Sequence, residues 1–88
     1  MDNAKIYAEL TAIFHNVFDD DGLVLTPETN AKQVDGWDSL AHLRLILSVE
    51  RAFGVKFSAA ETGKLKNVGE LAALIDRKLS IGAGKAAQ

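Results

Sequence analysis

The chain contains no cysteine, which excludes disulfide frameworks, thiolate metal sites and a cysteine nucleophile together. Any thiol chemistry must be imported. An excess of one charge is missing too. With 10 Lys and Arg against 12 Asp and Glu, the net charge of −2 carries neither the basic footprint of a nucleic-acid binder nor an acidic tail. No stretch approaches the roughly 20 apolar residues of a membrane-spanning helix. The start, Met1 to Glu9, lacks the basic-then-apolar order of a signal peptide, so a cytoplasmic protein is expected. No strand-like alternation competes with the helical periodicities, and no Gly-x-Ser-x-Gly elbow is present.

What remains is 88 residues, 48% hydrophobic and 25% charged, enough for one small core and no second domain. A single domain is expected over residues 1–81. Residues 82–88 carry small residues without a large apolar side chain and are expected to form a flexible tail. The Met1 start favours a discrete protein over one cut from a larger synthase.

Ile6, Leu10, Ile13, Phe14 and Val17 fall on one face of a 3.6-residue period and predict a first helix from about Asn3 to Phe18. His15 borders that face without a partner and is assigned no role. Asp19, Asp20, Asp21 and Gly22 lack the alternating acidic spacing and distal glutamate of a calcium loop, and read as a helix-ending turn. The long connection to Trp37 carries its own anchors. Leu23, Val24 and Leu25 are expected to dip into the core, Thr26 to Thr29 to make a short helical turn around Pro27, and Val34 to add a contact.

The chain is organised around Gly36 to Phe53. Asp38 is a preferred N-cap type, and Leu40, Leu43, Ile46 and Leu47 recur behind it at helical spacing. Gly54 supplies a residue tolerant of left-handed geometry where the pattern ends. Advancing 100° per residue makes this helix central, with one narrow exposed stripe of Ala41, Arg44, Ser48 and Arg51. Leu40 and Leu47 lie at the stripe's edge, where core packing and partner contact are equally open, whereas Leu43, Ile46, Val49 and Phe53 are expected to be core. Ser39 occupies the first helical position, beside unpaired N–H groups and the positive end of the dipole, where an attached anion is stabilised.

Ser58 and Glu61 have capping-box spacing and predict a short helix expiring by Leu65. Asn67 and Glu70 repeat that spacing, and Val68, Leu71, Ala72, Ile75 and Leu79 extend an apolar face to about Leu79. The fold expected is all-α, a small four-helix bundle of three long helices and one short, with a long first loop.

Gly36-Trp37-Asp38-Ser39-Leu40 resembles the Asp-Ser-Leu attachment motif of the acyl carrier proteins. The likeness rests on context as much as on the triplet. The motif opens the second long helix after a long anchored loop, and Phe53-Gly54-Val55-Lys56-Phe57-Ser58 resembles the helix exit of many members. The resemblance covers roughly residues 3 to 80 and implies that Ser39 receives 4′-phosphopantetheine from coenzyme A through a phosphopantetheinyl transferase. The thiol of that arm would then carry an acyl or aminoacyl group as a thioester to acyl-loading and acyl-processing enzymes. Asp38 would cap the helix and offer the transferase a carboxylate. Trp37 is expected to pack the loop end rather than to meet the partner. The resemblance implies a carrier that performs no catalysis itself, a role that works as a monomer, with the oligomeric state left open.

One departure bears on partners. Fatty-acid-synthase carriers usually show a strongly acidic recognition helix, whereas this one offers Arg44 and Arg51 with Glu50 as its only interior acid. Leu40, Arg44, Leu47 and Arg51 are the candidate partner-binding residues, and a dedicated pathway of polyketide, modified-lipid or aminoacyl type is expected over housekeeping fatty acid synthesis. Peptidyl carriers commonly have glycine or histidine where Trp37 and Asp38 stand, so an acyl-type carrier leads and a peptidyl or aminoacyl carrier is the alternative. A helical interaction module is a lesser alternative. A nucleic-acid module would rest on Lys64, Lys66, Arg77 and Lys78, without a clustered recognition helix. A small hydrolase would have to use Ser39 with His42, three residues later, or His15 as base. No metal site or further cofactor is expected.

Overall fold

The computed structural model describes residues 2–86, with side chains described over residues 2–80. Four helices succeed one another: α1 (Asn3–Phe18), α2 (Ser39–Phe53), α3 (Ala59–Gly63) and α4 (Val68–Ala86), with no strand among the described residues. The all-α bundle with a long first connection is as the periodicities predict.

Each boundary has a local cause. The carboxylate of Asp2 accepts from the Lys5 amide at 2.9 Å to open α1, and Asp19 closes it in the left-handed region at φ 51°. Asp20 then accepts from the Gly22 amide, completing the turn in which the acidic run takes part. Ser58 and Glu61 form the reciprocal capping box of α3, Glu61 N–H donating to Ser58 Oγ and Ser58 N–H to Glu61 Oε1. At the start of α4, Asn67 Oδ1 accepts from the Glu70 amide at 2.9 Å. The helix continues to Ala86 rather than ending near Leu79. No proline interrupts it, and Ala83, Lys85 and Ala86 are strong helix formers that carry the backbone past Gly82 and Gly84. Of the expected tail, residues 87 and 88 lie outside the described residues.

The packing centre is α1 rather than α2, for α1 packs against both α2 and α4. Ile6, Leu10 and Phe14 from α1 meet Leu45, Ile46, Val49 and Phe53 from α2 and Val68, Leu71 and Ile75 from α4 in one buried cluster. Burying each large side chain contributes about 1.5–3 kcal/mol, so the long helices are held chiefly by this seam. By contrast α3 buries no residue and is held by polar ties, Glu50 Oε2 accepting from the Phe57 amide at 2.8 Å and Lys78 pairing with Glu61 at 2.9 Å.

The first loop is packed, as its anchors imply, but not by every anchor. Val34 is buried and Leu23 and Leu25 pack against the core, while Val24 is 76% exposed because its neighbours take the two inward directions of an extended stretch. Thr26 to Thr29 forms a single turn around Pro27, closed by the Thr29 amide donating to the Thr26 carbonyl. That turn does more than dock. The amides of Val68 and Gly69, which have no partner inside α4, donate to the carbonyls of Thr29 and Pro27 at 2.8 and 2.9 Å. The loop therefore caps α4 while delivering Trp37 to the mouth of α2.

Candidate functional site

Two overlapping turns in the backbone lead into Ser39. The Trp37 amide donates to the Val34 carbonyl, Gly36 adopts φ 85°, and the Asp38 amide donates to the Gly36 carbonyl. Asp38 then caps α2, its Oδ1 accepting from the Ala41 amide at 2.9 Å, while Gly54 closes the helix at φ 67°. Ser39 and Asp38 are both exposed. The amides of Ser39 and Leu40 have no protein acceptor among the described residues, so two donors and the helix dipole lie beside the serine hydroxyl.

Ser39 borders an open depression of about 410 Å³ that runs from the α2 mouth towards the end of α3, lined by Trp37, His42, Thr62, Leu65 and Lys66 among others. An exposed hydroxyl, free amides and a cation at the rim of a partly apolar groove suit a tethered phosphodiester with a long flexible arm. Among the described residues no group of His, Asp and Glu is placed to hold a metal ion.

Trp37 packs the loop end, as expected. Its ring meets Phe14 edge-on with centroids 5.3 Å apart, and Phe18 at 6.0 Å. Its indole N–H donates to His42 Nδ1 at 3.0 Å, and His42 Nε2 lies 3.1 Å from the Thr62 carbonyl. Because an indole nitrogen only donates, Nδ1 is the acceptor and Nε2 carries the proton given to Thr62. Both imidazole nitrogens are thereby engaged, and neither is left to deprotonate Ser39. His15 Nε2 donates to the Leu23 carbonyl at 2.8 Å. The hydrolase alternative thus loses His42, the histidine nearest Ser39 in the chain, as its base.

The exposed side of α2 differs from the narrow stripe expected. Leu40, Leu43 and Leu47 are 67%, 56% and 49% exposed and share one face with the exposed Arg44 and Arg51, while Ala41 and Ser48 are half-buried. Leu43 is thus not core. Burial of Leu45, which the sequence reading did not single out, turns the helix so that its inward arc is Leu45, Ile46, Val49 and Phe53. The spacing of Leu43, one turn from both Leu40 and Leu47, contained the signal. His42 and Thr62 had none, being 20 residues apart. Of the four cations of the basic-patch alternative, Lys78 is engaged by Glu61 and Lys66 lines the depression beside Ser39.

A small all-helical domain with an exposed serine at the mouth of its second helix has the form of a carrier that bears a covalent arm. Residues 8–75 match the family described as the phosphopantetheine attachment site. The chain is 30% identical over 76 residues to the acyl carrier protein of Helicobacter pylori, covering 85% of this chain and 97% of that one. It also matches the solution NMR structure of the holo acyl carrier protein from Geobacter metallireducens, with TM-score 0.83, 51% identity, and 89% and 90% of the two chains covered. The chain belongs to the acyl carrier protein family. It is a carrier rather than an enzyme, its cofactor is covalent 4′-phosphopantetheine, and membership implies dealings with a phosphopantetheinyl transferase and with acyl-handling enzymes. Among the described residues, no helix is long and apolar enough to cross a membrane.

Proposed function

We propose that Ser39 is the attachment residue and that the protein carries acyl intermediates for a dedicated biosynthetic pathway in the cytoplasm. The observation that carries the attachment reading is the exposed Ser39 hydroxyl beside two unpaired amides at the start of α2, next to an open groove. The transferase makes a bond from Ser39 Oγ to a phosphorus of coenzyme A, the pyrophosphate bond breaks, 3′,5′-ADP leaves and the hydroxyl proton passes to the enzyme. The product phosphodiester lies where the helix end favours an anion, and the arm supplies a thiol that this chain lacks. Asp38 keeps the helix mouth formed, and Lys66 adds a cation at the rim. Leu40, Arg44, Leu47 and Arg51 form the partner-binding set. The dedicated pathway is supported by the cationic character of that set, which suits few basic docking surfaces.

The test is the intact mass after incubation with coenzyme A and a broad-specificity phosphopantetheinyl transferase. The wild type is expected to gain one phosphopantetheine and Ser39→Ala none, with unfolding free energies equal within about 0.5 kcal/mol because Asp38 still caps the helix. A folded wild type that no transferase modifies would return Ser39 to a helix-start residue only.

A further inference from the structure

Along α2 the exposed Leu40, Leu43 and Leu47 make a continuous apolar strip beginning one residue from Ser39, and Arg44 and Arg51 lie on the same face. Neither arginine makes an ion pair among the described residues. The one interior carboxylate of the helix, Glu50, is turned to the Phe57 amide and does not neutralise them. An enzyme that acts on a group tethered at Ser39 comes within reach of this strip. Three half-exposed leucines in a row are unusual on a surface that nothing covers.

Resting on the carrier reading, we propose that the docking partner presents an apolar depression flanked by carboxylates, with Arg44 and Arg51 pairing to those carboxylates and the three leucines filling the depression. The two arginines stand two helical turns apart, about 10 Å along the axis, so the partner's acids bracket a span of that length. Next to the helix mouth the charge reverses, with Asp35 and Asp38 exposed, so the partner's surface is acidic opposite the strip and tolerant of anions at its end. That reversal disfavours an anionic lipid surface, which would meet two cations and then repulsion, whereas helices lying on membranes are rich in cations along the polar face.

The experiment uses holo-protein loaded with an acyl group and a ketosynthase with a basic carrier-docking patch, alongside a form of that enzyme whose patch residues are reversed to glutamate. Both enzyme forms are first matched on free acyl-pantetheine, which needs no docking. The wild-type carrier is expected to be turned over with kcat/KM about tenfold higher by the acid-patched form, a contrast that shrinks with added salt. Arg44→Glu with Arg51→Glu is expected to reverse the preference, while Lys64→Glu with Arg77→Glu, equal in net charge, keeps the wild-type order. Leu43→Ser is expected to lower turnover by the acid-patched form several-fold without loss of helicity. Equal turnover by both forms, preference for the basic one, or identical behaviour of the two charge-reversed carriers would overturn the proposal. So would co-sedimentation of the wild type, but not of the Arg44→Glu and Arg51→Glu variant, with phosphatidylserine vesicles. Failure to load any carrier overturns the attachment reading instead, and is seen by mass before any docking is measured.

Discussion

Replacing His42 by leucine removes an acceptor for the Trp37 indole N–H and a donor for the Thr62 carbonyl, two bonds of 3.0 and 3.1 Å in a half-buried setting. Each bond contributes about 1 kcal/mol net, and an unpartnered group left behind costs up to a few kcal/mol where water is excluded. Partial solvent access and the apolar contacts of leucine offset part of this, so the expected loss is about 1–2 kcal/mol. For a domain of this size that lowers the unfolding midpoint by about 5–15 °C. The chain's one tryptophan is Trp37, so urea and thermal unfolding followed by its fluorescence read the perturbed place directly. The folded variant is expected to accept phosphopantetheine at close to the wild-type rate, because neither ring nitrogen is free to serve Ser39. A midpoint unchanged within about 2 °C would refute the bridging role. A folded His42→Leu chain that is no longer modified would show that the imidazole takes part in the chemistry after all.

Gly69→Ala tests the loop's seat on α4. A Cβ at that position would come within 2.9 Å of the Pro27 carbonyl oxygen and 3.1 Å of Pro27 Cβ, both in the turn that caps α4. Overlap with backbone outweighs the usual helical gain of alanine over glycine, and a net loss of about 1–2 kcal/mol is expected by urea denaturation; a stabilised variant would mean that the loop does not pack there. A further test concerns the tie between α3 and α4. The Ser58 amide, and after it Lys78, hold the Glu61 carboxyl below its ordinary pKa. A lowered folded value means that the contribution is present above the unfolded pKa and lost as pH falls through the folded one. Protection of the α3 amides, taken relative to their intrinsic exchange rate at each pH, is therefore expected to fall on acidification through and below the ordinary carboxylate range, and Glu61→Gln to flatten that dependence; an unchanged pH profile in the variant would assign the loosening to other carboxylates.

Anchoring α2 to α1 on one side leaves its other side exposed to solvent. Leu45, Ile46, Val49 and Phe53 hold α2 in the core through burial that a change at Leu40, Leu43 or Leu47 does not touch. The residues proposed for docking and those that hold the fold thus lie on opposite faces of one helix, so the exposed strip is open to substitution at little cost in folding.

The sequence by itself determined what depends on short-range chemistry. Asp38 and Gly54 set the ends of α2, Asp2 and Asp19 those of α1, and Ser58 with Glu61 the box of α3, because a cap satisfies backbone groups within four residues of itself. The Asp38-Ser39-Leu40 motif at such an end was legible for the same reason. Tertiary structure decided what depends on which arc of a helix meets a neighbour. A helix as rich in leucine as α2 offers several plausible inward faces, and only packing against α1 selects Leu45 for burial and turns Leu43 to solvent. The bridge from Trp37 through His42 to Thr62, and the capping of α4 by the carbonyls of Pro27 and Thr29, join residues far apart in the chain. No local period encodes such contacts, since they exist only once the core has brought the segments together.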